Sequence, residues 1–277
     1  MRLGGFVIHG DAAATLGPCL ESLAAVSDEL VAVDSGSRDG SAELVRASGA
    51  RRVEHAWCGY GAARAAAVAA LPATCDYVFF LDSDERLLPE AVEALRRWKA
   101  GSPSAPYGRL AVRDWADLPG RRFLFRTERH VRAVRRDHAR WTPGMIVHEA
   151  LPRGPAVEDL PAVIEHRFAD GSEGRSVRQE RYALLWAVRA RVEGWRRKPA
   201  SLQRLAHTLR NGVLKGALFR GGWPGLALAW SVARYHQRKH AHLAALERGE
   251  HAELVEALRE GRLGELLERV AAIASRD

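Results

Sequence analysis

The sequence has little of several things that would each point somewhere definite. Its 277 residues include only three cysteines, Cys19, Cys58 and Cys75. An odd number without C-x-x-C spacing argues against both a disulfide framework and a thiolate zinc site, and fits a reducing compartment. No uncharged apolar stretch reaches the ~18 residues of a bilayer-crossing helix; the richest runs only from Gly221 to Ala233. The apolar start is ended by His9 and Asp11, too soon for a signal-peptide core, so secretion is not expected. Internal repeats and clear linkers are also missing. What remains is an ordinary globular composition, 47% apolar and 27% charged, which excludes disordered, collagen-like and disulfide-scaffold classes. The formal charge of +8 suits an anionic membrane face, nucleic acid or a phosphorylated substrate, and composition does not choose among them.

The first hundred residues alternate short apolar runs with helical patterns, the rhythm of βαβ units. Strands are expected at Gly5–Ile8, Leu30–Val33, Arg52–His55 and Tyr77–Leu81, with helices at Thr15–Ala25, Ser41–Ala47, Gly61–Leu71 and Pro89–Lys99. Ser41 is a plausible N-cap. Tyr77-Val78-Phe79-Phe80-Leu81 is apolar on both faces, as in a central strand of a parallel sheet covered by helices. Beyond Gly101–Gly108 the pieces Leu110–Val112, Phe123–Phe125, Val131–Val134 and Met145–Val147 read as an antiparallel annex. From Ser176 onward the pattern is helical.

Two acidic constellations fall at strand ends. Asp34-Ser-Gly-Ser-Arg-Asp39-Gly40 follows the second strand, where ligands of open parallel sheets bind. A carboxylate there either accepts hydrogen bonds from a base or ribose, or serves an ordinary turn that caps a helix. Asp82-Ser83-Asp84 follows the fourth strand. Two carboxylates two residues apart on extended chain share a side and suit one hard cation completed by substrate phosphates; the alternative is a solvated turn before the helix at Pro89.

The order Val33-Asp34-Ser-Gly-Ser-Arg-Asp39-Gly40, Trp57-Cys-Gly59-Tyr60-Gly61, Phe80-Leu81-Asp82-Ser83-Asp84-Glu85-Arg86, Val147-His148-Glu149 and Gly221-Gly222-Trp223 resembles the inverting family 2 glycosyltransferases of GT-A fold. It is most similar to the branch that builds the lipopolysaccharide core. The resemblance implies an α/β fold with a mostly parallel central sheet, flanking helices, a small antiparallel annex and a C-terminal helical tail. It divides the chain into a nucleotide-sugar-binding half (1–100), an acceptor-side half (101–175) and a helical region (176–277) that contacts the membrane.

By position, the resemblance places Asp34 at the base or ribose and Asp39 in support of that turn. Asp82 and Asp84 become ligands of Mg²⁺ or Mn²⁺ on the donor diphosphate, with Ser83 between them. Glu149 is the base that takes the acceptor hydroxyl proton, with His148 beside it. His166, in Glu165-His166-Arg167, is left outside the catalytic set as a structural or solvated residue. Two departures stand out. The family's Asn-Glu pair after strand one is replaced by His9-Gly10-Asp11-Ala12, where Asp11 substitutes in part. Two amide side chains are also lost at Ala63 and Ala65, while Arg64 between them is kept for a phosphate.

The expected partners are a nucleotide diphosphate sugar, a glycolipid or polysaccharide acceptor and the inner face of the cytoplasmic membrane, met through basic, Trp-bearing helices between Ser201 and His242. An amphipathic helix packed on its own domain explains the same pattern. The arginines from Arg121 to Arg140 either clamp phosphate or solvate strands. Aromatics are not interleaved with them as base stacking requires, so nucleic acid is not expected. A polyprenyl-phosphate acceptor, or a non-catalytic sugar-nucleotide or membrane-binding module, are the competing readings.

Overall fold

In the computed structural model, which describes residues 1–147, 151, 156–169 and 175–275, β1 (Leu3–His9) is buried along its whole length. The glycines at its start exist for close approach: a Cβ on Gly5 would sit 2.1 Å from the Ser27 hydroxyl. After α1 (Ala13–Ala24), β2 (Glu29–Asp34), α2 (Ser41–Ala47), β3 (Arg51–Glu54) and α3 (Tyr60–Ala70), the chain returns through β4 (Tyr77–Asp82) on the other side of β1. The order β3-β2-β1-β4 is parallel throughout. It is a doubly wound order, whose reversal point beside β1 leaves a crevice outside the strand carboxyl ends.

Two residues after β4 comes β5 (Glu85–Leu87), then α4 (Pro89–Ala100). Pro89 opens α4, where its missing N–H costs nothing. Ala91, Val92, Ala94, Leu95 and Trp98 make its buried stripe, and Arg97 and Lys99 in the last turn suit the negative helix end. The antiparallel annex follows as β6 (Tyr107–Leu118), β7 (Arg121–Arg135) and β8 (Val157–Ala169), giving one sheet of order β3-β2-β1-β4-β7-β6-β8-β5. β7 runs antiparallel to β4, and β5 antiparallel to β8, with Glu85 opposite His166. The expected α/β architecture, with its mostly parallel core, annex and helical tail, is thus observed.

Some details differ from expectation. Phe123–Phe125 and Val131–Val134 belong to a single long strand, because the Arg-rich stretch between them keeps strand pairing without needing burial. Met145–Val147 is no strand; Ile146 and Val147 are buried among helices instead. Ser41 is not the N-cap of α2: Gly40 holds that position at φ 88°, and the Ser41 hydroxyl donates to Asp39.

The chain forms two compact units. The first comprises 1–115, 127–143 and 149–168; the second comprises 116–126, 144–148 and 169–277. The core of the first is built on Leu3, Val7, Leu20, Phe79, Leu81, Leu95, Leu110 and Ile164. Each such side chain contributes roughly 1.5–3 kcal/mol on burial.

The second unit holds α5 (Arg175–Val192), α6 (Ala200–Leu209), α7 (Ala217–Glu247), α8 (Ala252–Arg259) and α9 (Leu263–Ala274), with a π-turn at Arg210–Leu214. Leu184, Val188, Leu243, Leu254, Leu266 and Val270 form its core. The C-terminal leucines are therefore packed inside this unit. α7 is broken at Gly222 (φ 61°, ψ −147°), two residues before Pro224, and the hairpin tip meets it there: a Cβ on Gly221 would lie 2.5 Å from the Phe123 ring. No helix among the described residues is long and apolar enough to cross a membrane.

The charge is unevenly spread. From Gly194 to Leu246 there are ten Lys and Arg and no Asp or Glu, leaving 32 basic and 34 acidic residues elsewhere. The same stretch exposes Leu202, Leu205, Leu209, Leu214, Phe219, Trp223 and Trp230, with Leu214 82%, Phe219 76% and Trp223 79% accessible.

Candidate active site

Pairing of β1 with both neighbours aligns His9 with Asp34 and Ile8 with Asp82. Asp34 and Asp82 thus end strands one either side of β1 at the same carboxyl edge, roughly 10 Å apart by two strand spacings.

At the first of these ends Asp34 is buried and organises the turn that follows it. Its Oδ1 accepts from the backbone N–H of Gly36 (3.1 Å) and Ser37 (2.8 Å) and from the Ser37 hydroxyl (2.7 Å). Its Oδ2 accepts two bonds from Arg52, at 2.9 and 2.6 Å. Burial opposes ionisation, but the Ser37 and Arg52 hydrogen bonds outweigh it and bring the pKa down to about 2. The Ser37 hydroxyl also lies 3.2 Å from His9 Nδ1. The His9 Nε2 atom is buried without a hydrogen-bond partner among the described residues.

Asp39 and Asp11 tie the neighbouring loops to this turn. Asp39 accepts from the Ala13 N–H (2.8 Å) and from Ser41, and Asp11 from the Arg38 N–H (2.7 Å). Beyond β3, Gly59 at φ 105° turns the chain into α3, and Trp57 packs edge-on against Tyr60 at 4.8 Å.

At the second strand end the charges are denser. Asp82 receives Arg64 Nη2 at 3.0 Å on one oxygen and Arg132 Nη2 at 2.8 Å on the other. Arg132 also donates to the buried Glu85 at 2.5 Å, and Glu85 accepts the Asp82 backbone N–H at 3.0 Å. Arg64 lies over the Phe80 ring, 4.3 Å from its centroid. Asp84, a third exposed, faces His166 Nε2 at 3.4 Å, while His166 Nδ1 donates to buried Asp114 at 2.8 Å. The pairing of β5 with β8 delivers His166 here, and β6 supplies Asp114.

These contacts set the protonation states. Burial disfavours the Asp82 charge, but Arg132 and Arg64 hold its carboxyl well below the usual range. Burial pushes Glu85 up, Arg132 opposes this and the Asp82 charge adds to it. For His166, burial favours the neutral ring, yet hydrogen bonds to Asp114 and Asp84 raise its pKa well above the ordinary imidazole value.

Of the residues singled out from sequence, Asp11, Asp34 and Asp39 are brought together around one turn, and Arg64, Asp82 and Asp84 around the next. Ser83 occupies the turn between β4 and β5. Ala63 is fully buried in α3. His148 and Glu149 lie outside the described residues. Sequence reasoning missed Arg52, Glu85, Asp114 and Arg132 and set His166 aside. Glu85 was visible as the residue completing Asp-Ser-Asp-Glu; the others arrive from strands 18 to 82 residues away in the chain.

The donor atoms suit a divalent cation. One carboxylate oxygen and one imidazole nitrogen stand 3.4 Å apart, close to the roughly 3 Å between adjacent ligands of an octahedral ion with ~2.1 Å bonds. A histidine whose second nitrogen is held by a carboxylate is also the usual form of a metal ligand. Among the described residues no three His, Cys, Asp or Glu side chains are grouped closely enough to hold a metal alone, so diphosphate and water would complete the shell. Asp82 is already held by two guanidiniums, and Asp84 is the more available carboxylate.

Comparison with known proteins gives three kinds of likeness. The family described as glycosyl transferase family 2 matches residues 7–149. The lipopolysaccharide core biosynthesis glycosyltransferase LpsC of Rhizobium meliloti is 34% identical over 163 residues, 56% of this chain and 58% of that protein. The chain spans 22% to 58% of the length of the curated relatives it matches first. Among solved structures, residues 1–349 of Staphylococcus aureus TarS align over 90% of this chain and 92% of that one at 13% identity and a TM-score of 0.46. Glucosyl-3-phosphoglycerate synthase from Mycobacterium tuberculosis, solved with Mn²⁺ and uridine-diphosphate-glucose, aligns over 40% and 44% at 26% identity and a TM-score of 0.35.

Proposed function

The chain belongs to glycosyl transferase family 2, and we propose that it is an inverting, metal-dependent enzyme that moves a sugar from a nucleoside diphosphate to a glycolipid or surface polysaccharide of the lipopolysaccharide-core kind. The observation that carries this reading is the meeting of the Asp34 turn and the Asp82–Asp84 carboxylates, with His166, at one sheet edge. The likeness to LpsC supports the choice of acceptor.

The reaction is a single in-line displacement. The acceptor hydroxyl oxygen bonds to the anomeric carbon as the bond from that carbon to the diphosphate oxygen breaks, the diphosphate leaves with the electron pair, and the hydroxyl proton passes to a base. Glu149 is assigned that base, with His148 as its neighbour. Asp34, Asp39 and Asp11 shape the crevice for the base and ribose through the loops they tie. Arg64 and Arg132 hold Asp82 ionised and oriented beside Ser83. Asp84 and His166, with Asp82 alongside, would hold Mg²⁺ or Mn²⁺, which supplies positive charge to the departing diphosphate. The acid-free stretch from Gly194 to Leu246, with its exposed Leu, Phe and Trp side chains, is assigned to an anionic membrane surface, with the enzyme peripheral on the cytoplasmic leaflet.

A thermal-shift screen of nucleotide sugars with and without Mn²⁺, followed by assay of donor hydrolysis, tests the reading. Metal-dependent stabilisation by one donor together with slow hydrolysis is expected. Binding without hydrolysis or transfer would make the chain a sugar-nucleotide module. Glu149→Gln should abolish transfer to a sugar hydroxyl; full activity in that variant would point to an acceptor that is already an anion, such as a polyprenyl phosphate.

A further inference from the structure

Arg64 and Arg132, which grip Asp82, also line a cavity of about 190 Å³ together with Phe80, Arg109, Arg129 and Trp141. That volume holds on the order of ten waters, enough for a monosaccharide with one charged substituent. Four arginines and a histidine face it, and among the described residues no Asp or Glu does. Phe80 and Trp141 meet edge to face at 5.5 Å beneath these charges, with Arg64 lying over the Phe80 ring. Also in the lining, Arg109 and Arg129 share one carboxylate, Asp159, at 2.7 and 2.9 Å. Two guanidiniums on one carboxylate leave a net positive charge there. Planar guanidiniums are the side chains best matched to phosphate or carboxylate oxygens.

We propose that this cavity is the acceptor subsite and that it selects acceptor sugars bearing an anionic group, a phosphate or a carboxylate, near the hydroxyl to be glycosylated. The word acceptor rests on the transferase reading above; the anion preference rests on the cavity alone. Arg109 and Arg129 take the anion. The cavity shares Arg64, Phe80 and Arg132 with the Asp82 cluster, so donor and acceptor anion occupy neighbouring positions and bind together.

Calorimetric titration of the full chain with glucose 6-phosphate, glucuronate and glucose tests this. At least one anionic sugar should bind tenfold or more tighter than glucose, and should still bind in the presence of Mn²⁺ and the nucleoside diphosphate found in the donor screen. The stronger of the two anions names the substituent. Arg109→Ala/Arg129→Ala should weaken that binding at least tenfold, with circular dichroism checking the fold. Asp159→Asn removes the competing carboxylate and should tighten it about threefold, a gain that misfolding does not produce. Equal affinity for glucose, displacement of the sugar anion by the nucleoside diphosphate, or indifference to both variants would overturn the proposal. Absence of donor hydrolysis with the anion preference intact would instead overturn the transferase reading and leave the anion site standing.

Discussion

The two units distribute charge differently. In the first, cations and carboxylates are matched at close range: Arg52 with Asp34, Arg64 and Arg132 with Asp82 and Glu85, His166 with Asp84 and Asp114. The helical unit also has carboxylate pairs, such as Arg189–Glu193, Arg197–Glu247 and Arg262–Glu265, but between Gly194 and Leu246, where no acid lies, some cations lean on aromatic rings. Arg204 lies 3.7 Å from the Trp230 centroid and Lys239 4.3 Å from that of Trp186. Burial pushes the Lys239 amine down to about 8. Glu180 accepts from Arg238 at 2.9 Å and lies 2.5 Å from His242 Nε2. Charges neutralised internally can be buried and aimed, which a reaction centre requires. Charges left in excess beside exposed apolar side chains fit the membrane surface proposed above.

Six substitutions would break or sharpen this contrast. Removing the shared cation of the first unit has the largest effect: Arg132→Ala strands Glu85 and leaves Asp82 with Arg64, so unfolding in urea should show a loss of about 3–5 kcal/mol. Adding Glu85→Gln should recover part of it. Asp84→Asn should leave the melting temperature nearly unchanged, because the carboxylate is a third exposed, yet lower donor hydrolysis by roughly 10²–10³-fold.

Acid sensitivity compares the units directly. Asp34 and Glu180 both fall to about 2 in the folded chain, each against the desolvation of burial, through Ser37 and Arg52 for one and His242 and Arg238 for the other. Both folded values lie below the unfolded ones. Each therefore adds stability that is present above pH ~4 and is lost as the pH falls towards 2, on the order of 2 kcal/mol apiece. Asp34→Asn and Glu180→Gln should each flatten the acid limb of a stability curve, and indifference to either change would contradict the pairing described. The smallest effect belongs to the surface. Trp223→Ala should leave stability within about 0.5 kcal/mol and weaken sedimentation with phosphatidylglycerol vesicles by about tenfold, about the free energy of an indole leaving an apolar phase. Raised salt should weaken it further.

How much of this could be read from the chain depends on how far its contacts reach. β4 and its Asp-Ser-Asp-Glu ending are legible because five consecutive apolar residues permit little but a central strand, and the turn after β2 because Asp, Ser and Gly have few other uses there. The residues that complete the cluster are not legible in this way. Arg132 sits in a stretch of arginines that looks uniformly solvated, and only the antiparallel pairing of β7 with β4 brings it to Asp82. His166 reads as an isolated histidine until β8 pairs with β5 and sets it against Asp84. Met145–Val147 misleads for the converse reason, since its apolar residues are buried against helices rather than in a sheet.

Between Asp82 and Glu85 the backbone advances three Cα steps, at most about 11 Å, yet β7, β6 and β8 intervene between β4 and β5 in the pairing order. Laid flat, that order would set the two strands roughly 19 Å apart. The annex must therefore curl until its last strand returns to the middle of the sheet, and Ser83-Asp84 is the seam that closes the curl. Lengthening that seam would relax the curl, whereas shortening it would tear β5 from β8. The carboxylate of Asp84 thus rides on the stitch itself, and its position follows that of both strands.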